Sequence, residues 1–165
     1  MREADTVTAP RPATPDDASA IARLRSELIL SEPLDETWLA ICSDQLAARL
    51  QPAGDARAYV IDAPTGGLAT CALGLVHAVL PAPKYPQGLA VRIHAVATAP
   101  AYQRRGYAKA ALGALLDHLE KDGVTLYELY ASDGSAPLYA SLGFRSDPAL
   151  MRMTRFPTQT RETPS

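Results

Sequence analysis

Apolar positions recur at two different periods along this chain, and each change of period marks an element. Ile21, Leu24 and Leu28 follow one another at helical spacing after Thr14-Pro15-Asp16-Asp17. In that start Thr14 is a capping residue, Pro15 suits the first turn, and the two aspartates complement the helix dipole. Pro33 ends this helix, and a second is predicted from about Asp35 to Leu50, with Trp38, Leu39, Cys42, Leu46 and Leu50 as its apolar stripe. Pro52-Ala53-Gly54 closes it. The pattern then becomes that of strands: Ala58–Asp62, a hairpin turn at Pro64–Gly67, a long apolar run from Leu68 to Leu80, and Leu89–Thr98. Between the last two lies Pro81–Gly88, whose three prolines cannot sit in a central ladder. Helical spacing returns with Ala108, Ala111, Leu112, Leu115, Leu116 and Leu119, and stops at Asp122-Gly123.

Val124–Ala131 reads as a strand, Gly134–Leu142 as a short helix, and Phe144–Thr154 as a terminal strand or hairpin. At the other end, Val7–Arg11 reads as an edge strand, because Pro10 and Pro12 would damage a central one. Residues 1 to about 6 and 158–165 are polar and expected to be flexible. Helices alternate with strands around residues 95–142, which implies parallel neighbours there, while the hairpin before them implies antiparallel ones. The expected fold class is therefore α/β of the α+β type: one domain over residues 1–165, with a mixed, mostly antiparallel twisted sheet, a parallel strand pair and flanking helices.

Composition narrows the function more by exclusion than by indication. The apolar fraction is 47% and the formal charge −2, ordinary for a globular protein. No basic surplus exists to neutralise nucleic-acid phosphates. Apolar runs are too short and interrupted for a membrane span. The first residues, Met1-Arg2-Glu3-Ala4-Asp5, lack an apolar signal region. Cys42 and Cys71 are widely spaced and accompanied by no histidine cluster. They read as two small buried residues in a reducing cytoplasm, with no metal site expected.

Chemistry concentrates in Ile93–Leu112, where a strand turns at Pro100, passes Gln103-Arg104-Arg105-Gly106-Tyr107-Ala108 and enters a helix. A helix start presents unpaired N–H groups and partial positive charge, so it suits an anion such as a pyrophosphate. Gly106 lets backbone approach a ligand, and Arg104 and Arg105 add charge. Alone the turn is a weak signal. It lacks the Lys-Ser/Thr of a nucleotide-phosphate loop and the three glycines of a dinucleotide fingerprint. A second motif, Leu138-Tyr139-Ala140-Ser141-Leu142-Gly143-Phe144, lies one strand and one helix downstream.

Together the two motifs resemble the GNAT superfamily of acetyl-CoA-dependent N-acetyltransferases. The first matches its Arg/Gln-x-x-Gly-x-Gly/Ala turn and the second its Leu-Tyr-x-x-Leu-Gly-Phe segment. The resemblance implies that backbone N–H groups of Gln103, Arg104, Arg105, Gly106, Tyr107 and Ala108 bind the CoA pyrophosphate. It implies further that Val96, Ala97 and Thr98 offer a strand edge to the pantetheine arm. Tyr139 stands where the family has the acid that reprotonates the leaving thiolate. Ser132 replaces an asparagine seven residues before that tyrosine and reaches less far. Acetyl-CoA is the implied co-substrate, a primary amine of a small molecule or peptide the implied acceptor, and dimerisation a family habit. The contrasting expectation is a catalytically silent acyl-CoA-binding regulatory module.

For the general base, relatives often use a Glu on the strand before the turn, and His94 occupies that position. An imidazole suits proton abstraction from an ammonium near neutral pH, or it is a satisfied strand histidine. Glu128 is a second candidate, and an ordered water a third. His77 reads as structural and His118 as solvated. Acceptor contacts are expected from Pro33–Trp38 and from the Pro81–Gly88 loop with Lys84 and Tyr85, although Trp38 reads first as helix core. Of Tyr127 and Tyr130, opposite strand faces leave at most one for the site. The acidic balance favours cationic small acceptors.

Overall fold

The structure is a computed structural model that describes residues 9–132 and 134–155. The expectations of flexible ends at 1–6 and 158–165 lie outside those residues. Five strands form one sheet in the order β1-β2-β3-β4-β5: β1 Arg11–Pro12, β2 Ala56–Asp62, β3 Leu68–Ala78, β4 Leu89–Thr98 and β5 Leu126–Leu129. All neighbours are antiparallel except β4 and β5, which run parallel. Helices α1 (Ala18–Leu28) and α2 (Glu36–Arg49) precede β2, α3 (Tyr107–Lys121) links β4 to β5, and α4 (Ala136–Ser141) follows β5. The mixed sheet with one parallel pair is the predicted fold class.

Two apolar layers hold the sheet. On one face Ile61, Ala72, Val91 and Ile93 pack with Ala111, Leu112, Leu115 and Leu119 of α3, which explains the helical spacing of those four residues. On the other, Val60, Cys71, Leu73, Ala95 and Ala97 pack with Ile21 of α1 and Leu46 and Leu50 at the end of α2. β4 contributes Val91 and Ile93 to the first face but Ala95 and Ala97 to the second. The strand changes phase because three residues, Ile93 to Ala95, oppose Leu73 and Gly74 of β3. His94 is the extra residue of this β-bulge.

Several expectations are corrected. Trp38 is 58% exposed, because it sits one residue, about 100° of helix turn, from buried Leu39 and cannot share the stripe's centre. β1 contains only Arg11 and Pro12 among the described residues. Residues 144–155 form no strand: Ala149 N–H bonds the Asp147 carboxylate at 3.0 Å, a local turn at Asp147-Pro148 in place of a ladder. Leu150, Met151 and Met153 stay exposed. His77 is exposed, since burial along β3 falls off after Gly74. His118 is engaged: Tyr59 Oη lies 3.0 Å from its Nδ1 and Asp122 Oδ2 lies 3.3 Å from its Nε2. Of the cysteines, Cys71 is buried and Cys42 only partly so. Burial pushes the Cys71 thiol up to about 12.

Candidate active site

The parallel pairing of β4 with β5 runs from Ala90–Leu126 to Ile93–Leu129 and stops there. β4 continues through His94, Ala95, Val96, Ala97 and Thr98, and among the described residues these have no strand on the β5 side. A splay opens between the two strands at the bulge. Its β4 wall presents backbone groups that a bound chain can pair with as a strand would. Val96 is half-buried against the α3 layer, Ala97 is buried on the opposite face, and the Thr98 hydroxyl bonds the buried Thr70 hydroxyl. Arg92 and Glu128 are register partners just before the splay.

From Thr98 the chain makes a 3₁₀ turn at Pro100–Tyr102 and reaches the glycine turn. Gln103 Nε2 donates to the Thr98 carbonyl at 3.1 Å and closes the connection. Arg104 (φ 63°) and Gly106 (φ 80°) both take left-handed backbone. Such a succession turns N–H groups toward one concavity, where an anion is held. Gly106 is also the residue before α3, and among the described residues no side chain caps the first N–H groups of that helix. A Cβ placed on Gly106 would meet no atom within 4 Å, leaving the mouth of the turn open. Arg104 and Arg105 are exposed there, with the Arg105 guanidinium 5.9 Å from the Tyr102 ring centre. Tyr107 instead sends its side chain into the core. Exposed arginine charge, open space at Gly106 and a helix start are features that suit an anion such as a pyrophosphate.

Tyr139 lies on α4, half-buried against the α3 layer and edge-on to Phe144 at 6.0 Å. Burial raises its phenol above the ordinary tyrosine value, with Ser135 opposing. The phenol is therefore protonated at neutral pH, as a proton donor must be. Ser132 is exposed and donates to Ser135 Oγ at 3.3 Å, tying the end of β5 to the start of α4. A groove of about 700 Å³ between α3, β5 and the segment after α4 is lined by Asp117, Glu120 and Arg145, with no surplus of positive charge for CoA phosphates.

His94 is exposed on the bulge. Protein atoms crowding its ring, and then the positive charges of Arg25, Arg92, Arg49 and His77, hold its imidazole below the ordinary histidine value. It is neutral at pH 7 and able to accept a proton. That neighbourhood was not legible in the sequence, because the bulge and the arriving α1 residue are tertiary features. The expected acceptor loop is misplaced: Lys84 and Tyr85 sit before the start of β4, about 20 Å along the strand from the splay. Tyr127 packs against the α3 layer while Tyr130 faces Arg92, so the two do lie on opposite faces.

The family model for the acetyltransferase (GNAT) family matches residues 23–144, which includes the splay, the glycine turn and Tyr139. The chain belongs to the GNAT acetyltransferase family. A curated relative, the [ribosomal protein bS18]-alanine N-acetyltransferase of Escherichia coli K12, is 47% identical over 66 residues. That match spans 38% of this chain and 43% of the relative's length. Among solved structures, a GCN5-related N-acetyltransferase from Ralstonia eutropha JMP134 superposes with a TM-score of 0.70 at 22% identity. It covers 88% of this chain and 97% of its own. A predicted acetyltransferase from Clostridium acetobutylicum, solved with acetyl-CoA, gives a TM-score of 0.75 at 16% identity, over 88% of this chain and 94% of its own. Similarity at these identities establishes the shared fold. Among the described residues no helix is long and apolar enough to cross a membrane, and no group of three His, Cys, Asp or Glu side chains is placed to hold a metal.

Proposed function

We propose that this GNAT chain transfers an acetyl group from acetyl-CoA to a primary amine, by direct attack within a ternary complex. The observation that carries the reading is the juxtaposition of the β4–β5 splay with the uncapped, left-handed turn into α3. Acetyl-CoA supplies a thioester, an acyl donor that is activated but still needs a deprotonated amine. Backbone N–H groups from Gln103 to Ala108 hold the pyrophosphate, and Arg104 and Arg105 lie near phosphate charge. The β4 edge at Val96, Ala97 and Thr98 positions the pantetheine arm, and Ser132 closes the cofactor side.

A backbone N–H near Val96 polarises the acyl carbonyl. His94, neutral at pH 7, takes a proton from the acceptor ammonium directly or through an ordered water, and the free amine then attacks the thioester carbonyl. Glu128 stands lower on the neighbouring strand and is the second candidate. Tyr139, held protonated, returns a proton to the leaving sulfur. The carbon–sulfur bond breaks as the carbon–nitrogen bond forms, and no acyl group rests on the protein. That the curated relative is a ribosomal-protein alanine N-acetyltransferase supports an acceptor amine of a peptide or small molecule. Two free cysteines support a cytoplasmic setting.

The test is amine-dependent release of CoA thiol across a panel of amino acids, polyamines, aminoglycosides and N-terminal peptides. Release that tracks the amine supports the reading. A CoA-induced rise in melting temperature with no release on any amine refutes it in favour of a silent binding module.

A further inference from the structure

Two arginines from separate segments converge on one exposed tyrosine beside the splay. The Arg92 guanidinium carbon, from β4, lies 4.6 Å from the centre of the Tyr130 ring, and that of Arg152, from the segment after α4, lies 4.2 Å from it. Both are within cation–π reach of the same ring. Hydrogen bonding to the phenol, from Arg152 first and Arg92 second, holds Tyr130 below the ordinary tyrosine value, with their charge adding to it. Arg25 of α1 adds a charge felt at His94, two residues along β4 from Arg92. The facing carboxylate is that of Glu128, in register with Arg92. Yet among the described residues no carboxylate comes within 4.0 Å of Arg25, Arg92 or Arg152. Like charges gathered on one ring repel each other, and a ligand anion relieves that repulsion.

We infer that Arg92 and Arg152, with Tyr130 between their charges, bind an anionic group carried by the acceptor. This rests on the acetyl-transfer reading of the splay and names the substrate class for it. Arg92 lies about 13 Å along β4 from Val96, and His94 about 7 Å from it. The acceptor is then an amine whose carboxylate or phosphate sits roughly 10 Å from the reacting nitrogen. The net acidity of the chain points the other way, toward cationic acceptors, but the local charge at the splay outweighs it because screening cuts off distant charges.

Three tripeptide amides test this: Ala-Gly-Glu-amide, its neutral twin Ala-Gly-Gln-amide, and Ala-Gly-phosphoserine-amide. Each is titrated calorimetrically into the CoA-saturated full chain and into its Arg152→Met and Arg92→Met variants. At least one anionic peptide binds about tenfold tighter than the neutral twin, the worth of one charge-assisted contact. Which of the two is preferred separates carboxylate from phosphate recognition. Each variant reduces the preference to about twofold or less and leaves CoA affinity unchanged. Arg152 lies on an exposed segment, so its variant keeps the test sharp should Arg92→Met fold poorly. Equal binding of all three peptides, or a preference that survives both variants, overturns the inference. An arginine-dependent preference without acetyl transfer to any peptide leaves the anion site standing and counts against the acetyl-transfer reading alone.

Discussion

Replacing Gly106 by alanine separates backbone conformation from space at the cofactor turn. A Cβ there meets nothing within 4 Å, so the substitution causes no clash. Its cost comes from φ 80°, where an L side chain is disfavoured by about 1 kcal/mol. In a chain of this size that amounts to a fall of about 2–4 °C in melting temperature. Gly113 is the internal control. It too has open space at Cβ, but it lies inside α3 with ordinary helical backbone. Gly113→Ala should therefore stabilise, by about 0.5–1 kcal/mol. The binding consequences also diverge. If the Gly106→Ala backbone relaxes toward negative φ, the N–H groups at the start of α3 turn away from the anion. Losing one charge-assisted hydrogen bond, about 1.5 kcal/mol, weakens CoA about tenfold. Scanning calorimetry and CoA titration on the two variants read both effects. The reasoning is refuted if Gly106→Ala keeps wild-type stability and CoA affinity, or if Gly113→Ala weakens CoA as much.

Three further outcomes follow from the titrating groups and ion pairs. Tyr139→Phe lowers the turnover number by about 10²–10⁴-fold with CoA binding intact. The wild-type rate should also hold until pH rises above the ordinary tyrosine range, because burial raises this phenol; full turnover in the variant at every pH removes the acid role. With His94 as base, kcat/KM rises with pH through a value below that of a free histidine, because crowding and nearby cations depress it. His94→Ala should abolish that limb and Arg25→Gln should move it upward, and an unchanged profile in His94→Ala assigns the base elsewhere. Arg11 bonds both Asp17, at 2.9 Å, and Asp62, at 2.8 Å, and holds both carboxyls below their ordinary value. A depressed folded value means stability that is present above the unfolded pKa and is lost as pH falls through the folded one. Arg11→Met should thus cost about 1 kcal/mol at pH 7, limited by solvent screening, and flatten acid unfolding below about pH 4. Denaturant melts across pH measure this, and a cost that is the same at pH 2.5 and pH 7 contradicts it.

The stretch from Leu89 to Asp122 was legible because each step has a local cause. Alternation makes the strand, Pro100 and Gly106 make the turn, and leucines at helical spacing face one apolar layer. What the residues could not disclose are features that arise only between segments. A one-residue bulge at His94 shifts the facing of β4 without any change in composition. Trp38 belongs to the apolar pattern by type, but the buried face of α2 is set by Leu39 and Leu46, and Trp38 lies off it. The predicted terminal strand fails because Asp147 and Pro148 make a local turn. Its Arg152 nonetheless returns beside Tyr130, a meeting with Arg92 that spans 60 residues of chain. His118 read as solvated because its partner Tyr59 lies on a distant strand.

The central claim is acetyl transfer at the splay without an acyl-protein intermediate. A single-turnover mixture of the chain, isotopically labelled acetyl-CoA and a competent amine, followed by intact-mass spectrometry, tests it most directly. The account predicts label on the amine, free CoA in equal amount, and an unmodified protein mass at every time point. Label appearing first on the protein and then on the amine would contradict it.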